Sequence, residues 1–360
     1  MYLRILKKDL KRKKAMNAIM LIFIILASMF IASGANNMIT VATALEDYFE
    51  LAEVPDYWFA TTYEKEAKRF SDFAKEEGYA FKTAELIQLN PKSIKVDNEA
   101  FVYSNSVCLS TVKGSKIFDE KEKEITTVED GEIYVPNCIF SSGKNNFYNG
   151  CKILIESGNV KKEFTLKSFS RDALFGSPMI GMTHFLVSEN DYKLFDTKDN
   201  TMFYSLSAYT KDASFMEKYN NLDLKTIMGV NRSGIKLMYF MDTIIAALIL
   251  VVSICLILIS MVILRFTIQF TMSEEFREIG VMKAIGITNG KIRGLYIVKY
   301  LAISLTGGIL GLAFSFPFGR LLIKSVSKNI IITGENRFFL NIIFAAGAAF
   351  AVVLFCYLCT

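Results

Sequence analysis

The chain has 360 residues, of which 52% are hydrophobic and 21% charged, and its formal net charge at pH 7 is +5. So large an apolar share excludes an ordinary soluble protein, whereas so many charges exclude a purely membrane-embedded one. The two kinds of residue are indeed segregated. Residues 46–235 hold 23 basic and 30 acidic side chains, and the remainder of the chain holds 18 basic and 6 acidic ones.

The first 14 residues, MYLRILKKDLKRKK, carry seven basic side chains and one acidic one directly before an apolar run. A basic cluster can bind nucleic acid, but next to a membrane span it is typical of a cytoplasmic anchor on anionic lipid. We therefore predict a basic cytoplasmic N-terminus over residues 1–14 and no nucleic-acid partner. Residues 15–45 carry no charge, a run too long for a cleavable signal peptide. They are predicted to form a first transmembrane helix with an external extension.

Residues 46–235 are long enough for a substantial core, and we predict an extracytoplasmic α+β domain with two subdomains. The segment TTYEKEAKRFSDFAKEEGYAF has helical patterning that closes at Gly78. Further along, EIYVPNCIF, GCKILIES and KEFTLKSFS are short runs rich in Ile, Val and Phe, which indicate strands. Gly158 and Asn159 supply a hairpin turn between the last two runs. Trp58 is expected either at the lipid interface or in the core of this domain.

The cysteine and histidine residues indicate no metal or catalytic site. Cys108, Cys138 and Cys151 fall in the predicted external domain, so at most one disulfide can form among them. We expect them to be buried as small hydrophobic residues. His184 is the only histidine of the chain, and the sequence contains no Cys/His ligand spacing. The chain is therefore predicted to be no enzyme and to hold no metal.

Three more apolar stretches follow, each close to the 20 residues or so that cross a bilayer. Basic residues surround the connection between the second and third spans, among them Arg265 and Lys299, and place that connection in the cytoplasm. The predicted segments are a second transmembrane helix at 236–265, a cytoplasmic segment at 266–294, a third helix at 295–323, an external loop at 324–337 and a fourth helix at 338–360.

These boundaries define the predicted fold class. It is a membrane protein of the cell membrane, with four transmembrane α-helices and a large α+β extracytoplasmic domain inserted between the first and second. The sequence ends at residue 360, flush with the fourth helix and without a basic tail. That ending is compatible with a piece of a longer protein with further spans.

Small residues recur four apart in the third predicted span, at Gly307, Gly311 and Ser315, and in the fourth, at Gly347 and Ala351. Lipid offers no hydrophobic force between helices, so close backbone approach at small residues is how they associate. We predict helix packing at these five positions. The alternative is that small residues are merely common in membrane helices.

The stretch SEEFREIGVMKAIGITNGKIRG, residues 273–294, is a polar interruption within the apolar C-terminal third. Thr271 and Glu274 have capping-box spacing, and Gly286 can end a helix, so we predict a short helix between them. Thr288 is the predicted cap of the next helix. The charges lie on several sides of this helix, which indicates contact with other helices on one side and with a protein on another. A solvated connector is the alternative.

Within this stretch, REIGVMKAIGITNGKI resembles the signature cytoplasmic segment of the FtsX/MacB-type ABC transporter permeases. The order of one span, a large external domain and three spans resembles that of the family as well. The strand region GCKILIES is similar too, although Asn149, Gly150 and Cys151 stand where the family often has Gly-Asp. The resemblance implies that the segment is a coupling helix that binds a groove of a separate ATPase. The residues expected at this contact are Glu275, Arg277, Glu278, Ile279, Gly280, Met282, Lys283, Ala284 and Gly286.

The chain has no nucleotide-binding motif of its own. The nearest match to G-x-x-x-x-G-K-[ST] begins at Gly286, but it has three residues between the glycines and Ile292 where Ser or Thr is required. ATP and Mg²⁺ are therefore expected on the partner ATPase, and no cofactor is expected in this chain.

The resemblance implies a permease subunit of the mechanotransmission type, which pairs with a second copy or a paralogue. It would export or extract lipids, peptides or antimicrobial compounds, in contact with membrane lipid and with an external peptide or accessory protein. The alternative is a transmembrane signal transmitter that activates a cell-wall hydrolase or senses an antimicrobial peptide without transport.

Overall fold

The computed structural model describes residues 14–140, 145–197, 200–324, 329–332, 342–343 and 346–347. They form two compact units. The helical unit contains residues 14–43 and 244–324, and the sheet unit contains residues 44–243 and 329–331.

The helices are α1 (Lys14–Leu51), α2 (Glu64–Glu76), α3 (Asn137–Phe140), α4 (Glu189–Phe195), α5 (Phe215–Asn221), α6 (Arg232–Met238), α7 (Phe240–Ala284) and α8 (Asn289–Ile323). The strands are β1 (Tyr57–Thr61), β2 (Ala80–Leu89), β3 (Ile94–Val96), β4 (Glu99–Ala100), β5 (Ser106–Ser110), β6 (Ile117–Asp119), β7 (Glu132–Pro136), β8 (Lys152–Ser157), β9 (Val160–Asp172), β10 (Met182–Leu186), β11 (Met202–Tyr209) and β12 (Met228–Asn231).

Among the described residues, three helices are long and apolar enough to cross a membrane, over Asn17–Leu51, Phe240–Thr267 and Val298–Ile323. Together with the large sheet unit, they fit a membrane protein that has a domain outside the bilayer. The predicted fourth helix at 338–360 falls almost wholly outside the described residues, so it stays a prediction.

The sheet unit is built on one 12-stranded sheet in the order β12-β1-β11-β2-β5-β10-β7-β9-β8-β3-β4, with β6 paired to β9. The pairs β5/β10 and β7/β9 are parallel, and the other pairs are antiparallel. Such a sheet with helices beside it is an α+β arrangement.

In place of two subdomains, the described part of this single sheet carries a larger and a smaller apolar core, with a third small cluster around Ile117, Ile125 and Leu186. The larger core includes Ile87 and Phe164, and the smaller one includes Phe70 and Leu206. β2 and β11 pair along eight residues and contribute to both cores, so neither core can form a separate domain.

The local predictions were mostly correct. The helix over TTYEKEAKRFSDFAKEEG is α2, and Gly78 follows it with a φ of 71°. Gly158 has a φ of 56° in the turn between β8 and β9. The exception is NCIF, which forms α3 because Pro136 ends the strand before it.

Trp58 lies in the core of the sheet unit. Its side chain is 2% exposed, and its indole N–H donates a hydrogen bond to Ser205 Oγ at 2.8 Å. Cys108, Cys138 and Cys151 are buried, as expected of small hydrophobic residues, and none of the three is in a disulfide. Burial raises the pKa of the Cys108 thiol to about 12, so this thiol stays protonated and unreactive at neutral pH.

Tyr239 lies in the sheet unit, next to the end of β9. It is fully buried, and its hydroxyl donates to the backbone oxygens of Asp172 and Ala173 at 3.1 and 2.9 Å. Tyr48 is also fully buried, but its hydroxyl has no hydrogen-bond partner among the described residues.

These two tyrosines make a matched pair. We expect Tyr239→Phe to lower the free energy of unfolding by about 1–2 kcal/mol, because two buried carbonyls lose their donor. Tyr48→Phe is expected to leave stability unchanged or to raise it, since a buried hydroxyl without a partner is removed. Denaturation of the full chain in detergent measures both, and equal losses in the two variants would contradict the assignment.

Candidate functional site

The turn between α7 and α8 has a defined backbone geometry. Gly286 has a φ of 85°, its N–H donates to Lys283 O at 3.0 Å, and the Ile287 N–H donates to Met282 O at 3.1 Å. This pair of bonds is the Schellman motif, in which a glycine in the left-handed region ends a helix. Thr288 then starts α8 in an extended conformation. Gly286 and Thr288 therefore end and begin the helices at the predicted positions.

The start of the predicted short helix is different. α7 runs without interruption from Phe240 to Ala284, so Thr271 lies inside a helix and not at the start of one. The predicted boundary between a span ending at 265 and a segment starting at 266 is therefore not a structural one. The physical reason is that residues 265–279 contain neither Gly nor Pro, so nothing stops helix propagation when the side chains become polar.

One side of this segment packs inside the helical unit. Ile279, Met282 and Ile287 are partly buried against an apolar cluster. The cluster consists of Met20, Ile24, Ala27, Ile292, Tyr300 and Ile303, which come from α1 and α8. Ile279 and Met282 therefore hold this side of the segment against the rest of the helical unit.

The opposite side is exposed, and we call it the outer face. It consists of Phe276, Arg277, Gly280, Val281, Lys283, Ala284 and Ile285. Phe276, Val281 and Ile285 are 69%, 58% and 70% exposed, and these three large apolar side chains lie together among charged ones. Gly280 lies between them, and a β-carbon there would meet no described atom within 4 Å.

The predicted contact residues are thus divided between the two sides. Arg277, Gly280, Lys283 and Ala284 lie on the outer face, and Gly286 is exposed in the turn beside it. Glu278 is half-buried, and the side chain of Glu275 lies outside the described part of the chain. The predicted contact residues do not include Phe276, Val281 and Ile285, although these large apolar residues in a polar segment themselves indicate a helix that binds a partner.

Two of the predicted small residues in α8 lie directly against α1. A β-carbon on Gly307 would lie 2.6 Å from Ile24 Cγ2, and one on Gly311 would lie 2.6 Å from Ser28 Cβ and 2.7 Å from Ile25 O. Ser315 is buried, and its hydroxyl donates to Leu312 O at 2.7 Å. Only glycine permits this close approach of the two backbones.

The C-terminal part of the chain matches a known protein family. Residues 250–360 match the family model of the FtsX-like permease C-terminal domain. This region, less than a third of the chain, is similar to that domain, and we call it the FtsX-like permease domain for that similarity. The match confirms the resemblance seen in the sequence, and it supports a relation to the permeases of ABC transporters.

The curated proteins and the solved structures do not identify the chain further. No curated protein matches the chain. Among solved structures, it is similar to a protein from Bacillus anthracis described as a lipoprotein, at 10% identity and a TM-score of 0.27. That likeness covers 48% of this chain and 95% of the other. A likeness this weak establishes neither fold nor function.

The FtsX-like permease domain also contacts α1 through α7. A β-carbon on Gly34 of α1 would lie 2.9 Å from the backbone oxygen of Ser253. In the predicted fourth span, a β-carbon on Gly347 would meet no described atom within 4 Å, and Ala351 lies outside the described residues. Packing at Gly347 and Ala351 therefore stays a prediction.

A second group of charged residues, inside the sheet unit, connects the end of α1 to α6. In the sequence, α6 precedes the FtsX-like permease domain. Glu46 of α1 forms ion pairs with Arg232, at 3.2 Å, and with Lys236. The Arg232 guanidinium also donates to Val54 O and lies over the Phe49 ring. We call Glu46, Arg232 and Lys236 the clasp. Sequence reasoning missed it because its members are 186 and 190 residues apart.

Proposed function

We propose that this chain is the transmembrane subunit of an ABC transporter of the mechanotransmission type. In this proposal the α7–α8 turn faces the cytoplasm, a separate ATPase binds the outer face, and the sheet unit lies on the other side of the membrane. ATP and Mg²⁺ belong to the ATPase. A second copy of the chain or a paralogue completes the assembly.

The observation that carries this proposal is the composition of the outer face. Three large apolar side chains are exposed there around Gly280 and Ala284, with Arg277 and Lys283 beside them. A protein partner gains most from apolar anchors with a few charged groups at the rim. A solvated connector, the alternative reading of the segment, would not need such anchors.

The mechanical part of the proposal relies on two long helices. α7 has 45 residues, which at about 1.5 Å per residue is a rod of roughly 67 Å, about twice the apolar thickness of a bilayer. Force applied at the outer face would move the whole rod because no break divides it. α1 contacts α7 at Gly34 and α8 at Ser28, and the clasp holds its end. α1 therefore offers a second route by which the movement could be transmitted.

The proposed cargo is a lipid, a peptide or an antimicrobial compound extracted from the outer leaflet. Residues 15–45, 244–264 and 300–319 contain no Asp, Glu, Lys or Arg. Ion and solute pathways through membranes usually require such groups, so movement of an external domain suits this chain better than conduction. The rival function is signal transmission without transport.

Reconstitution into vesicles with the ATPase separates these functions. We expect ATP hydrolysis to release a labelled lipid or peptide from the outer leaflet. A rate of release equal to that of vesicles without ATP, in a sample that hydrolyses ATP normally, would contradict transport and favour the signalling alternative. Failure of any ATPase to bind would instead contradict the proposal as a whole.

A further inference from the structure

One face of the sheet carries a cleft of about 450 Å³ that the ATPase proposal does not use. Its floor is formed by β2 and β11, and its walls are α2 and α4. The lining residues that carry the argument are Glu64, Glu85, Tyr192, Lys193, Asp196 and Tyr204.

The register of the sheet explains the open floor. Glu85 of β2 stands directly opposite Tyr204 of β11, so the two side chains share one face. Four residues before Glu85, on the same face of β2, Phe81 packs against Phe70 of α2 and marks the covered part. Two residues after it, Ile87 belongs to the larger core beneath α4. α2 and α4 therefore cover the two ends of this face and leave Glu85 uncovered between them.

The charges that line the cleft are only partly neutralised. Glu64 forms an ion pair with Lys68 at 2.6 Å, and Glu189 forms one with Lys113 at 3.0 Å. Within the described chain, neither the Glu85 nor the Asp196 carboxylate has an ion pair or a hydrogen bond. Among the lysines that line the cleft, Lys193 is the one without an ion pair to another described residue. Two carboxylates thus face one cation.

Tyr192 gives a second and independent indication of a ligand. Its side chain is 9% exposed, and its hydroxyl has no hydrogen-bond partner in the part of the chain that the structure describes. Burial, followed by the nearby charges of Glu85 and Asp196, raises the pKa of this hydroxyl. Tyr192 thus lines the same cleft as the two carboxylates that lack partners. Burial and the charges of Glu64, Glu85 and Asp196 likewise raise the pKa of Tyr204.

We propose that this cleft binds an organic ammonium group, held by Glu85 and Asp196, with Tyr192 Oη as an additional acceptor and the Tyr204 ring beside it. An ammonium group has three donors and no acceptor, so it complements two carboxylates and a hydroxyl oxygen, and an aromatic face attracts it further. A bound metal ion fits less well, because the described residues contain no group of three or more His, Cys, Asp or Glu able to hold one. The proposal does not depend on ATPase coupling.

Two sources present this chemistry, a lysine-type side chain of a peptide and a free polyamine. The test is isothermal titration calorimetry on the full chain in phosphatidylcholine nanodiscs, whose lipid has no net charge. The probes are trilysine with blocked ends, spermidine, and blocked trilysine with acetylated side chains. We expect one or both cationic probes to bind and the acetylated peptide not to bind; the probe that binds more tightly identifies the source.

Charge variants of opposite sign make the test specific. We expect Glu85→Gln and Asp196→Asn each to weaken binding by about three- to tenfold, Tyr192→Phe to weaken it by about threefold, and Lys193→Gln to strengthen it. Glu99→Gln is the matched control, because Glu99 is exposed on β4 at the far edge of the sheet and changes the net charge equally. Melting temperatures near that of the wild type exclude unfolding as the cause. Absence of binding by both cationic probes, or a loss in Glu99→Gln equal to that in Glu85→Gln, would overturn the proposal.

Discussion

Replacing Gly280 by leucine is expected to reduce binding of the ATPase at least tenfold while leaving the chain folded. A β-carbon at Gly280 meets open space on the outer face, so the new side chain has room in the isolated chain. Leucine also favours a helix interior by about 1 kcal/mol relative to glycine. A partner that packs closely against the backbone at this point would lose that fit, and a loss of about 1.4 kcal/mol already weakens binding tenfold.

The measurement is co-purification of the ATPase with the detergent-solubilised chain, together with stimulated ATP hydrolysis. Gly290→Leu is the matched control, since Gly290 is also exposed near the turn and a β-carbon there meets no described atom within 4 Å. We expect Gly290→Leu to retain the partner. Equal loss in both variants would show that the outer face of α7 is not the specific contact, and undiminished binding in Gly280→Leu would place the contact elsewhere.

The ends of the coupling segment could be predicted from sequence because local chemistry decides them. Gly286 can adopt a positive φ without the steric cost that other residues meet, and the polar Thr288 suits the start of a helix. The beginning of the segment could not be predicted in the same way. The change from apolar to charged residues after Leu264 indicates where the surroundings of the helix change from apolar to aqueous. It does not stop the backbone of α7 from continuing as a helix.

The orientation of the segment also depends on residues distant in sequence. Phe276 and Met282 are both apolar, yet Phe276 is 69% exposed whereas Met282 packs against the cluster that contains Met20 and Tyr300. Nothing in the pattern from 273 to 294 distinguishes them, because the position of α1 decides which side is buried. The same limit applies to the single sheet, in which β1 pairs with β11 some 150 residues further along the chain.

Gly311→Ala is expected to lower the melting temperature of the full chain in detergent, and by more than Gly307→Ala does. The new methyl group at position 311 would lie 2.7 Å from the backbone oxygen of Ile25, which no rotamer change can move away. At position 307 its three nearest neighbours would be side-chain atoms, Ile24 Cγ2 at 2.6 Å, Ile24 Cβ at 3.1 Å and Leu21 Cδ1 at 3.5 Å, and none of them belongs to the backbone. Overpacking costs typically 1–3 kcal/mol, which corresponds to a shift of about 2–12 °C for a chain of this order of size.

Gly311→Ala also distinguishes binding of the ATPase from transmission of the ATPase's movement through the helices. The outer face is formed by α7, so Gly311→Ala is expected to retain the ATPase. Transmission through α1 requires its tight contact with α8 at Ser28, so ATP-dependent release of cargo should fall more than ATP hydrolysis does. Ala313→Val is the control, because Ala313 is exposed on α8 and this substitution adds a larger volume, two carbons, at an exposed position. If Gly311→Ala behaved like Ala313→Val in both stability and coupling, the α1–α8 contact would be neither a structural nor a mechanical requirement, and α7 alone would have to carry the motion.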